Sequence, residues 1–204
     1  MAPAAEFRET TLAGGLAAAG WAVEVREDVA DWLVLPDGAV DVVLVRGAEP
    51  LVAGPATRPS VLAQRAGART VGLRLRPGAV VAALGVRADE LRDLASPVCG
   101  ASGAVAGRRP ARAGGARRLA VSPRHLRRRV AEQVGYGPKR YARIMRLQRL
   151  LALRARHPGA PAGRLAADAG YADHPHLVRD CRELAGRTPS ALLAQRAGVA
   201  LGAP

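Results

Sequence analysis

Hydrophobic and polar positions follow two different rhythms along the chain. Between residues 21 and 76 the apolar runs are short and rich in Val and Leu. WAVEV, WLVL, VDVVLV and TVGLRLR are separated by turn chemistry at Pro36-Asp37-Gly38, Gly47 and Pro77-Gly78, which predicts strands. In the last run Val71, Leu73 and Leu75 alternate with Gly72, Arg74 and Arg76, the period of a half-buried strand whose arginines face water. Two brief helices are expected at 79–85 and 88–94. Residues 96–115 keep no sustained period and are rich in glycine, with prolines at 97 and 110, so a linker is expected there. From residue 116 the rhythm is helical, over 116–120, 122–134, 138–156, 161–169, 174–185 and 189–197. The predicted fold class is α+β: a small β-rich domain over 1–95, then an all-α domain over 116–204.

Within the helical half one stretch occurs twice. Residues 122–141 and 173–192 align without a gap at an offset of 51, pairing His125 with His176, Leu126 with Leu177, Arg128 with Arg179, Glu132 with Glu183, Gly135 with Gly186 and Pro138 with Pro189. In each copy a capping residue, Ser122 or Asp173, opens a short helix. Gly135 or Gly186 ends it, and Pro138 or Pro189 starts the next. This is the rhythm of a helix-turn-helix, repeated. The segment between the copies, Pro138 to Arg156, places Tyr141, Ile144, Met145, Leu147 and Leu151 on one face and Arg143, Arg146 and Arg149 on the other, with Leu150 and Leu153 outside the apolar stripe. At about 1.5 Å per residue it would span roughly 28 Å. Successive major-groove faces on one side of B-DNA lie about 34 Å apart, so such a spacer suits two adjacent groove segments.

Charge sharpens that reading. Residues 1–100 carry 10 basic and 12 acidic side chains, whereas residues 101–204 carry 21 basic and 5 acidic ones. The excess is nearly all arginine, Lys139 being the lone lysine, and it favours a phosphate polymer as partner. Cys99 and Cys181 are the two cysteines, and their spacing suggests neither a disulfide framework nor a metal site. No basic leader precedes an apolar run and no uninterrupted apolar stretch of about 18 residues occurs, so a cytoplasmic protein with no membrane partner is expected.

Arg124, Arg127 and Arg128 fall on the outward side of the first repeated helix, while Leu126, Val130 and Val134 take core positions. Arginine at the N-terminal end of such a helix can make paired bonds to guanine O6 and N7. Arg129 lies off that face and is expected at a phosphate or in solvent. The outward residues of the second copy are His174, His176 and Arg179. His174 and His176 stand two apart and point in different directions on a helix, which argues against metal binding. Cys181 matches Val130 and is expected as a small core residue. No cofactor motif is present. An enzymatic reading would have Cys99 alone as its nucleophile, without a supporting motif, so no enzymatic activity is expected.

Residues 116–197 resemble the C-terminal domain of the AraC/XylS family of bacterial transcription regulators. Ala169-Gly170-Tyr171 matches the family's glycine-aromatic turn, and Gly186-Arg187-Thr188-Pro189 its Gly-x-Thr-Pro stretch. The resemblance implies two helix-turn-helix units on double-stranded DNA, with base contacts carried by Arg124, Arg127 and Arg128 in the first and by His174, His176 and Arg179 in the second; Ser122 and Arg129 are also expected at the DNA. It also implies RNA polymerase as a partner. Residues 21–94 are similar to the cupin-like N-terminal domain of some of these regulators through Pro36-Asp37-Gly38, Val40-Asp41, the run Gly72 to Gly78, Leu84-Gly85 and Glu90-Leu91, which implies effector sensing or dimerisation. One departure stands out. The positions matching Leu165 and Ala166 are Gly114 and Gly115, so the first unit reads as shortened. The rival reading is a nonspecific nucleic-acid-binding remnant of such a regulator.

Overall fold

A computed structural model describes residues 4–99, 104–105, 122–194 and 199–200. The strands are β1 (Ala5–Thr11), β2 (Ala17–Val25), β3 (Val29–Val34), β4 (Asp41–Val45), β5 (Leu51–Ala53), β6 (Ser60–Gln64), β7 (Arg69–Leu75), β8 (Ala95–Cys99), β9 (Ala104–Val105) and β10 (Val199–Ala200). The helices are α1 (Val80–Leu84), α2 (Pro123–Val134), α3 (Pro138–Arg156), α4 (Ala162–Ala169), α5 (His174–Ala185) and α6 (Pro189–Ala194), with a 3-10 turn at Ala88–Glu90. A β-rich N-terminal part therefore precedes a helical one. The expected segments 116–120 and 195–197, and Gly114-Gly115, lie outside the described residues.

One sheet runs β1-β2-β7-β4-β5-β8-β9 and a second runs β10-β3-β6. Ala5, Val23 and Val25 of the first sheet meet Trp32 of the second in one apolar cluster. Because side chains alternate along a strand, β3 sends Trp32 into this cluster and Leu33 into the helical core, where Leu35 joins it beside Ile144, Leu147 and Leu150. Burying a leucine stabilises by roughly 1.5–3 kcal/mol. The β-rich and helical parts thus share one core through β3.

The fold departs from the sequence pattern at three places. In β7 the sides are reversed: Arg74 is 11% exposed and points into an ion cluster, while Val71 and Leu73 are exposed. Along β7 this outer face is covered at Leu75, where Val80, Leu84 and Leu91 pack, and Gly72 opens space on the inner face for the Trp21 ring. Next, residues 95–99, mostly assigned to the linker, form β8. It pairs with β5 in the register Leu51↔Pro97, with Val98 packed on the core around Val52 and Leu91. Lastly, in α3 Leu150 is fully buried despite lying outside the apolar stripe, because α3 is flanked by α4, α5 and β3. For the same reason Arg143 and Arg146 are engaged by α5 and only partly solvated; of the three, Arg149 alone is exposed.

Candidate nucleic-acid interface

Both repeated helices are built as their sequences require. Ser122 Oγ accepts from the His125 N–H at 3.3 Å, Pro123 occupies the first turn, and α2 stops at Gly135 with φ +83°. Asp173 Oδ1 accepts from the His176 N–H at 2.7 Å, Pro175 follows, and α5 stops at Gly186 with φ +64°. These left-handed glycines end each helix at the point where the next chain segment must turn away.

On α2, Arg124, Arg127 and Arg128 are exposed and Arg129 is half-buried. Arg128 is held loosely along the helix by His125 Nδ1 at 3.3 Å and by Glu132 at 3.7 Å. On α5, His174 and Arg179 are exposed. His176 departs from the expected outward placement: its side chain is 29% exposed and lies against α3. Arg146 Nη1 is 2.6 Å from His176 Nε2 and 3.4 Å from Nδ1. Two such similar distances put the guanidinium over the ring face, off the lone-pair direction. The same guanidinium sits 5.3 Å above the Tyr171 ring centre, and Tyr171 meets His176 edge-on at 5.6 Å. The glycine-aromatic turn therefore works as a wall that aligns His176 with the spacer helix.

Beneath these residues lies a group missed in the sequence. Asp180 is fully buried and accepts from Arg143 Nε at 2.7 Å, with Arg146 at 3.8 Å and His176 at 3.9 Å. Arg143 also bonds Glu183 at 2.6 Å. Partial burial works against the Arg143 charge, but Glu183 and Asp180 outweigh it and hold the guanidinium above its ordinary value. The hydrogen bond from Arg143 in turn holds Glu183 below the usual carboxylate range. The alignment carries a signal for this clamp, since Asp180 matches Arg129 in the first copy. A charge reversal at one place in a repeat marks a place where the copies are packed differently.

The two copies also differ in their apolar support. Leu177 is 3% exposed and Cys181 fully buried, in one apolar cluster with Leu165, Ala166 and Ala169 of α4. Their counterparts are Leu126, which is 55% exposed, and Val130, which is half-buried. The expectation that Leu126 lies in the core is thus corrected. Contacts of α2 gather at its C-terminal end: it packs on the 3-10 turn, Arg92 Nε donates to the Gly135 carbonyl at 2.7 Å, and Gly135 approaches Pro55. The residues matching α4 in this unit lie outside the described ones.

Residues 116–195 match a family model described as a helix-turn-helix domain. The C-terminal part is an AraC-type helix-turn-helix domain. Residues 16–97 match a domain of unknown function (DUF6597), and the pair is consistent with an AraC-family regulator. No curated protein and no solved structure matches the chain. The AraC-type match makes this a DNA-binding transcription regulator. No helix among the described residues is long and apolar enough to cross a membrane.

In this regulator Cys181 is a packing residue. Burial pushes its thiol up to about 11, and the neighbouring Asp180 charge adds to the rise. Native protein treated with iodoacetamide at pH 8 should leave Cys181 unmodified, and urea should make it react; mass spectrometry of the Cys181 peptide reads both. The side chain of Cys99 lies outside the described residues.

Proposed function

We propose that this AraC-type regulator reads a bipartite duplex site, laying the N-terminal ends of α2 and α5 in two successive major-groove segments. The observation that carries the proposal is the matched placement of Arg128 and Arg179. They are equivalent in the repeat, both exposed, and carried on capped helices joined by the 19 residues of α3. In this reading Arg124, Arg127, Arg128, His174 and Arg179 face bases, His176 reads from its place against Arg146, and Ser122 and Arg129 serve the phosphates. RNA polymerase and a small-molecule effector at the β-rich domain, which extends through β8, complete the reading, with the DNA-binding domain at 116–204.

The exposure of Leu126 favours a second reading, in which the first unit is too poorly supported to read bases and the protein binds DNA mainly through phosphates. Selection of bound sequences from a random duplex library with the full chain at physiological salt separates the two. Two short enriched blocks about one helical turn apart support bipartite reading. One block at most, with steep salt dependence, supports the second.

A further inference from the structure

The turn at Pro36-Asp37-Gly38 belongs to two structures at once. On its inner side Asp37 is part of a four-member charge cluster centred on Arg74. Arg74 Nη2 lies 2.6 Å from Asp37 Oδ2 and 3.2 Å from Asp41 Oδ2, Nε is 3.2 Å from Asp41 Oδ1, and Nη1 is 2.9 Å from Glu9 Oε2. All four side chains are at least four-fifths buried, with exposures between 11% and 19%. One guanidinium shared by three carboxylates leaves an excess of negative charge in a poorly hydrated place, which like charges tolerate badly.

On its outer side the same turn touches α3. The Pro36 carbonyl accepts from Gln148 Nε2 at 2.8 Å. Gln148 is 1% exposed and its Oε1 has no hydrogen-bond partner among the described residues, so the bond to Pro36 is the one its amide makes there. Gly38, at φ +77°, sits so close to Tyr141 that a methyl there would be 2.7 Å from Cε2. The Asp37 charge is felt by the Tyr141 and Tyr136 hydroxyls, both of which lie above their ordinary range first through burial and then through this carboxylate. The charged or titratable groups around the cluster are therefore Glu9 from β1, Asp37 from the turn, Asp41 from β4, Arg74 from β7, Tyr136 and Tyr141.

We propose that the Pro36-Asp37-Gly38 turn is a proton-sensitive link, through which the ionisation of the Glu9–Asp37–Asp41–Arg74 cluster sets how firmly the β-rich part holds the spacer helix between the two DNA-contacting units. Loss of hydration pushes Asp41 up to about 6; Arg74 opposes the rise and Asp37 adds to it. A folded value above the ordinary one of 3.8 means the ordered cluster favours the proton. Stability from this group is fully present below about 4 and is lost as pH rises through about 6. At acid pH a neutral Asp41 no longer repels Asp37, Arg74 is shared by fewer charges, and the turn is held more firmly against α3. Above that range the ionised Asp41 competes for Arg74 and the turn loosens.

Amide hydrogen exchange of the full chain, corrected for intrinsic rates, tests this between pH 5 and 7.5. Protection of α3 amides from Tyr141 to Leu151 should be greater at pH 5, by up to about ten-fold, the limit set by proton linkage. Asp41→Asn should abolish the difference, whereas Asp89→Asn, outside the cluster, should keep it. Gln148→Met leaves the cluster intact and should shrink the α3 response, while Asp41 itself still titrates by side-chain carbon NMR. This second variant carries the test should Asp41→Asn not fold. A flat profile in the unmodified protein, an unchanged response in Asp41→Asn, or a full response in Gln148→Met would overturn the proposal.

Discussion

Replacing Asp180 with alanine should lower the stability of the protein by about 2–4 kcal/mol, read from the urea midpoint of the full chain. Asp180 is wholly buried, and its loss strands two guanidinium groups that come from another helix. Breaking a buried pair from one side usually costs about 3–5 kcal/mol, but Arg143 keeps Glu183 and both arginines keep some contact with water, which lowers the figure. Asp180→Asn retains the shape and one acceptor and should cost roughly half as much. Glu183→Ala removes a half-exposed partner and should cost less than about 1 kcal/mol. Equal losses for Asp180→Ala and Glu183→Ala would show that the buried carboxylate does not clamp α5 to α3. DNA binding by Asp180→Ala should fall even where the protein remains folded, since His176 and Arg179 then lose the fixed angle of their helix.

The second large effect is an asymmetry between two equivalent arginines. Arg179→Ala should weaken binding to a matched duplex by about 1–3 kcal/mol, the usual worth of a good base contact. The loss should fall on one block of the site and leave preference in the other unchanged. Arg128→Ala should affect only the other block and by a smaller amount, because α2 has its first turn exposed at Leu126 while the matching Leu177 of α5 is buried in the helical core. Arg129→Ala should weaken all sequences about equally and reduce the salt slope by roughly one unit, as a phosphate contact would. Uniform losses across random sequences for both Arg128→Ala and Arg179→Ala would leave neither arginine as a base reader.

How far the sequence carried depended on whether a feature was local. Caps, glycine stops and first-turn prolines are properties of a few adjacent residues, and the helices from Pro123 onward lie within a residue of the expected bounds where described. The exposed arginines of α2 and α5 were legible for the same reason. What failed was anything that depended on a distant partner. Arg74 was placed in water by its strand period, yet three carboxylates from β1, β4 and the turn before it draw it inside. β1 went unread because its inward positions are Ala5, Phe7 and Glu9, a mixed set that alternates without being apolar. His176 looked outward because a helix wheel contains no Arg146. Leu126 looked buried because the repeat gave it the place of Leu177, but that place lies in an apolar cluster shared with α4, and α4 has no described counterpart in the first unit.

The claim of bipartite reading is tested most directly by methylation interference on a selected duplex bound by the full chain. Methylation of guanine N7 blocks the acceptor that an inserted arginine needs. Two clusters of interfering guanines on one face of the duplex, about 34 Å apart, with the cluster assigned to α5 the stronger, is the result expected. A single cluster, or interference spread evenly along the duplex, would contradict reading by two helices.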